Sequence, residues 1–225
     1  EKCVGGSAGE TQIHYAEDFA KLLEASDPFI QPDELIVGSC LVTPEDEIDV
    51  GFYNAHYPPG YATLLREGLT GIRDRARRRS AEETDPEKQA FLRAVEIAYD
   101  AACRYAEKHA DFAREMAFTE ADPSRMNDLT RIASACDELA TQAPQSFHAA
   151  LQLVQFTRIL GGRGCIGRFD QWMWPFYEND IETGVLTREE AQELLECLFV
   201  KINHFPEARQ ATNDNLRNIT LGGQT

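Results

Sequence analysis

GGRGCIGRFDQWMWPFYENDIETGVLTREEAQELLECLFVKIN, residues 161–203, joins a glycine loop, an aromatic cluster and a strongly patterned helix. In Leu186-Thr187-Arg188-Glu189-Glu190, Thr187 is placed to accept from the free backbone N–H groups of a first helical turn. Glu190 is placed to reach back to the Thr187 amide. From there Ala191, Leu194, Leu195, Leu198 and Ile202 form one apolar stripe at helical spacing, which predicts a helix lying against a large core. Upstream, Trp172, Trp174, Phe176 and Tyr177 crowd many rings into a short span and call for burial. Arg168 and Asp170 stand beside those rings and need partners. The simplest arrangement is a structural ion pair between the two.

Composition sets the outer limits. A chain of 225 residues with 43% apolar side chains can build one large domain. Its formal charge of −16, from 22 basic and 38 acidic side chains, repels phosphate backbones and anionic membrane surfaces, so neither nucleic acid nor membrane is an expected partner. The run Arg73-Asp74-Arg75-Ala76-Arg77-Arg78-Arg79 is a local exception. It reads either as a phosphate patch or, more simply, as cations complementing the dipole at a helix C-terminus. The six cysteines are at least 29 residues apart and no histidine stands at metal-ligand spacing, so no zinc site is expected; reduced thiols in a cytoplasmic protein are. No run of 18 apolar residues occurs. Beginning at Glu1 rather than Met, the chain is expected to be a piece of a longer protein.

Most of the remainder reads as helix. Ile13 to Ala25 carries Phe19, Leu22 and Leu23 on one side, and Glu34 to Val42, bounded by Pro32 and Pro44, is a short β-capable run. Residues 51–61, GFYNAHYPPGY, form an aromatic loop held extended by two prolines and make a second candidate functional loop. Tyr61 to Ala81 presents Leu64, Leu65, Leu69 and Ile72 on one side, with Gly68 and Gly71 marking close packing. Asp85-Pro86 starts a helix whose stripe is Phe91, Val95, Ala98, Ala102 and Tyr105. If continuous to Met116 it is about 45 Å long. Asp122-Pro123 starts another, with Met126, Leu129, Ile132, Ala133, Cys136 and Leu139 inward. A further helix follows Pro144 through Phe147, Leu151, Val154 and Ile159 to Gly161-Gly162. Residues 217–223, RNITLGG, turn β-like, and a lone strand there lacks neighbours.

The block GRFDQWMWPFYENDIETGVLTREEAQELLECLFVKIN, the terminal NITLGGQ, PDELIVGS near the start and PQSFHAALQLVQF together resemble the N-terminal part of a glycyl radical enzyme. This is the pyruvate formate-lyase-like family, and the likeness runs from about Pro32 to Gln224, nearer to the glycerol/diol dehydratase and lyase branches than to formate acetyltransferase. The resemblance implies a mainly α fragment of an α/β protein: outer helices with the first strand of a ten-stranded α/β barrel. Residues 1–225 would be a partial domain lacking the catalytic cysteine and glycyl radical loops. Gly164-Cys165-Ile166-Gly167 lacks the acid that follows the family's cysteine and precedes GRFDQ, the wrong place, and no Arg-Val-x-Gly-Tyr-like loop occurs.

The implied function is therefore the N-terminal part of a radical lyase or dehydratase that eliminates water or another leaving group from a small polar substrate. The chain alone is expected to be inactive and, with its inner side uncovered, to associate. Acyl transfer of the formate acetyltransferase type, or a helical interaction module without chemistry, are the alternatives. The resemblance also implies a glycyl radical in the intact parent, no cofactor in this chain, an activating enzyme using S-adenosylmethionine and an iron–sulfur cluster, and a homodimeric parent. No catalytic residue is assigned here. His56 resembles the hydroxyl-contacting histidine of diol-dehydratase-like members, its alternative being a neutral histidine packed among aromatics. Gly162 and Arg163 stand where glycerol-type members carry a His-Ser pair. The departure argues against glycerol, and Arg163 could clamp a carboxylate or sulfonate, its alternative being an exposed loop arginine.

Overall fold

The computed structural model describes residues 8–38, 59–160, 165–203 and 219–222. Among them lie seven helices: α1 (Ala8–Ala25), α2 (Tyr61–Glu82), α3 (Pro86–Thr119), α4 (Pro123–Thr141), α5 (Phe147–Leu160), α6 (Phe169–Glu182) and α7 (Arg188–Asn203). The described residues form no strand and one isolated parallel bridge, between Gly167 and Ile219.

Helix α3 is the organising rod. Its 34 residues run about 51 Å at 1.5 Å each, longer than the sequence reading, and α1, α2 and α4 pack along it. Both predicted proline starts form as local caps: Asp85 accepts from Glu87 N and Asp122 from Ser124 N. The inward face of α3 is made largely of small residues. Ala106, Ala110 and Ala113 are fully buried, which lets neighbouring helices approach closely. Phe91, expected on the buried stripe, instead is half exposed, and so is Met126 at the start of α4. Each lies in the first turns of its helix, before the neighbouring helices close over it.

Helix α2 bends where the sequence marked close packing. Gly68 takes φ 67° and ψ 178°, and a Cβ there would stand 2.6 Å from Ala143 Cα at the corner between α4 and α5. Only glycine meets both demands. The arginine run past the bend pairs with acids of α2 and α3. Arg73 meets Asp74 and Asp100, Arg75 meets Glu67, and Arg77 meets Glu96, at 2.6–3.5 Å. Glu96 is buried between Arg77 and Arg93. Burial pushes its carboxyl up, but the two guanidinium groups outweigh this and hold it below the ordinary range.

Helix α5 is buried nearly all round and packs against α4, α6 and α7. Its N-terminus is capped from other elements. Asp180 of α6 accepts from Phe147 N at 2.8 Å, and Glu138 of α4 accepts from Ser146 N at 3.2 Å. The capping box of α7 is as expected: Thr187 N donates to Glu190 Oε2 at 2.8 Å and Glu190 N to Thr187 Oγ1 at 3.2 Å. Ala191, Leu194, Leu198 and Ile202 are buried and Leu195 partly so.

Candidate functional site

Residues 35–38 are buried, with bends at Leu35 and Ile36 and φ 101° at Gly38, and described residues provide them no strand partner. Three side chains of α5 take that place. Val37 N donates to Gln152 Oε1 at 2.9 Å, Gln152 Nε2 donates to Val37 O at 2.8 Å, and Gln155 Nε2 donates to Gly38 O at 3.0 Å. His148 Nε2 donates to Leu35 O at 2.8 Å. Residues 148, 152 and 155 share one helix face, so α5 acts as a comb for this buried backbone. Burial lowers the His148 pKa to about 4, against the opposing pull of its bond to Leu35, so the ring stays neutral near pH 7.

A second structured feature is the Gly167–Trp172 block. Gly167 has φ 75°, and its carbonyl accepts from Thr220 N at 2.7 Å, completing the bridge to Ile219. The expected Arg168–Asp170 pair does not form. Asp170 instead accepts from Gly222 N at 2.6 Å, while Arg168 is exposed and makes no ion pair among the described residues. The physical reason is that the arriving tail brings a backbone N–H needing an acceptor, whereas an exposed guanidinium is satisfied by water. Asp170 Oδ1 is buried without a hydrogen-bond partner.

Tyr61 stacks on Trp172 (centroids 4.9 Å, planes 22°), and Trp172 meets Phe169 edge-on at 5.1 Å. The buried Arg158 donates to Gln155 Oε1 and Ile202 O, both at 3.3 Å, and acts electrostatically on Tyr61. Burial raises the Tyr61 phenol well above its ordinary range, with Arg158 opposing, so it remains an O–H donor.

His56 and Arg163 lie outside the described residues. A Cβ on Gly38 would stand 2.8 Å from Ile159 Cδ1, so the 35–38 segment lies tight against α5. Sequence reasoning missed the glutamine comb, Tyr61, Arg158 and the Asp170 latch. The signal available for the first was polar residues, His148, Gln152 and Gln155, on one face of a helix whose other residues are mostly apolar.

A separate cavity of about 400 Å³ lies between residues 31–36 and α7, lined by Glu34, Glu193, Glu196, Cys197 and Lys201. Lys201 is buried against Glu34, and Arg125 clamps the carbonyls of Gln31 and Glu34 at 2.8 Å. These pairs hold the turn that leads into the 35–38 segment. The described residues include no group of acids, histidines or cysteines able to hold a metal, and none of their helices is long and apolar enough to cross a membrane.

Comparison with known proteins places this arrangement. The pyruvate formate lyase-like family model matches residues 51–225. Trans-4-hydroxy-L-proline dehydratase of Clostridioides difficile is 38% identical over 151 residues, covering 60% of this chain and 19% of that protein. Isethionate sulfite-lyase of Nitratidesulfovibrio vulgaris is 33% identical over 187 residues, covering 73% and 22%. A solved structure for 1,2-propanediol dehydration in Roseburia inulinivorans superposes with TM-score 0.82 at 26% identity, covering 95% of this chain and 36% of that one. The chain thus spans about a fifth of the length of these curated relatives.

Proposed function

The chain belongs to the pyruvate formate lyase-like family, and on that premise we propose that it is the N-terminal part of a glycyl radical lyase. The intact parent eliminates water or another leaving group from a small polar substrate. The observation that carries this is the docking of the 219–222 tail on the Gly167–Trp172 block, through the Gly167–Ile219 bridge and the bond from Gly222 N to Asp170, where Tyr61 stacks on Trp172. Relatives that dehydrate or release sulfite match the same stretch. Residues 1–225 are then a partial domain, the outer helices of a ten-stranded α/β barrel, with the parallel Gly167–Ile219 bridge as the beginning of its sheet.

The glycyl radical, installed by an activating enzyme that uses S-adenosylmethionine and an iron–sulfur cluster, supplies hydrogen abstraction beside the bond that breaks. No Gly-Cys-x-Glu or glycyl loop occurs in these 225 residues, so the chain alone is inactive and its part is to shape and polarise one wall of the pocket. His56 contacts a substrate hydroxyl and Arg163 an anionic group. The parent is a cytoplasmic, oxygen-sensitive homodimer. Exposed Trp174, Phe199, Val200 and Leu221 are the surface that the rest of the parent covers.

Anaerobic activation of the full-length protein, followed by a screen of small diols, hydroxy acids, sulfonates and amino alcohols, tests the proposal. An elimination product is expected. Transfer of an acetyl group to coenzyme A with release of formate, and no elimination, would establish the acyl-transfer alternative instead. Arg163→Ala should lower kcat/KM selectively for carboxylates or sulfonates; equal loss on neutral diols removes Arg163 from the site.

A further inference from the structure

We propose that the cavity between residues 31–36 and α7 binds a small aliphatic diamine or polyamine, a ligand independent of the reaction assigned to the parent. At about 400 Å³ the cavity falls in the size range of small-molecule sites. Its floor is apolar and fixed. Ile36 is fully buried, and the Cys197 thiol beside it behaves as a small hydrophobe. Arg125 clamps the turn at Gln31 and Glu34, and Gln152 holds the backbone just beyond Ile36. Val200, 66% exposed, lines the outer part, so the rest of the parent that covers Val200 walls the cavity there.

Both walls carry acids. Asp33 stands on one, and Glu193 and Glu196, one helical turn apart, stand on the other. None of the three makes an ion pair among the described residues, and Glu196 accepts from a neutral donor, Gln192 Nε2, at 2.7 Å. The cation that lines the cavity, Lys201, is buried against Glu34. Burial raises the Cys197 thiol, a bond to Leu35 opposes this, and Glu193, Glu196 and Glu34 raise it further, so the field of the acids reaches the floor. The combination selects the ligand. An inorganic cation gains nothing from the apolar floor, and the carboxylates do not converge as metal ligands do. A neutral aliphatic molecule leaves the carboxylates unanswered. A diamine lays its methylenes on Ile36 and Cys197 while its two ammonium ends meet carboxylates of opposite walls, and the net charge of −16 adds long-range attraction.

The test reads Cys197 and needs no radical. Unactivated full-length protein is alkylated with iodoacetamide, and the peptide carrying Cys197 is followed by mass spectrometry. Without ligand Cys197 should react, and saturating butane-1,4-diamine should slow it about fivefold. Magnesium chloride at matched ionic strength and butane-1,4-diol should not. Glu193→Gln combined with Glu196→Gln should weaken the diamine Kd, read from the concentration dependence of protection, about fivefold. Both side chains are exposed, so the fold tolerates the change. Equal protection by magnesium or by the diol, or none by the diamine, would overturn the proposal. An unchanged Kd in the double variant would do the same. Protection by oligolysine but not by the diamine would make a basic chain the occupant and overturn it too. A Cys197 that stays unreactive without ligand would show that the parent's own chain fills the cavity, which also overturns it. None of these readouts uses elimination, so the lyase reading stands or falls separately.

Discussion

The layer around α3 and the region around α5 are built on different terms. Helices α1, α2 and α4 close on the largely small-residue face of α3; α3 and α4 carry local caps, and the arginines of α2 and α3 pair with acids on the same or adjacent helix. The α5 region buries Gln152, Gln155, Arg158 and His148, recruits partners from distant parts of the chain, and leaves Tyr61 Oη and Asp170 Oδ1 without a hydrogen-bond partner. The first is finished scaffold. The second tolerates polar groups in its interior because they hold backbone that the helices cannot pair.

The sharpest way to break the contrast is at the hinge joining the two. Gly68→Ala forces a side chain into positive φ and against Ala143 Cα, so a loss of about 4 kcal/mol in urea unfolding is expected. A near-neutral result would show that α2 can straighten away from the corner. Next comes acid. The folded pKa of His148 is about 4, below the unfolded value near 6.5, so the unfolded chain takes up the proton first. Its contribution is complete above pH 6.5, is lost as pH falls through that window to about 4, and amounts to about 3 kcal/mol there. Unfolding midpoints measured against pH should show that slope together with a like one from His109, whose pKa burial also lowers to about 4, so His148→Gln should remove about half of it.

Smaller effects sharpen the comparison. Gln152→Leu keeps the volume but strands the Val37 N–H and carbonyl, and about 2 kcal/mol should be lost, with faster amide exchange at Val37. In the α3 layer, Glu96→Gln removes a carboxylate whose arginine partners are half exposed. The expected loss is about 1 kcal/mol or less, and it should shrink in high salt. If the glutamine change proves no worse than the glutamate change, the two regions do not differ in the way argued here.

Sequence alone determined the parts whose causes are local. The caps at Asp85, Asp122 and the Thr187–Glu190 box join residues two or three positions apart, and the stripes of α4, α5 and α7 follow from helical period, so both were legible before any partner was known. The family likeness was legible too, in the GRFDQ block. The remainder depended on partners far away in the chain. Val37 N–H and carbonyl are paired without a strand because Gln152, 115 residues on, bonds both. Asp170 turns from Arg168 to the amide of Gly222, 52 residues on. Gly68 is required by the backbone of Ala143, and Tyr61 acquires its setting from Trp172 and Arg158. A side chain's periodicity is set by its own helix. Its hydrogen-bond partner is set by whichever backbone the tertiary fold leaves unpaired beside it.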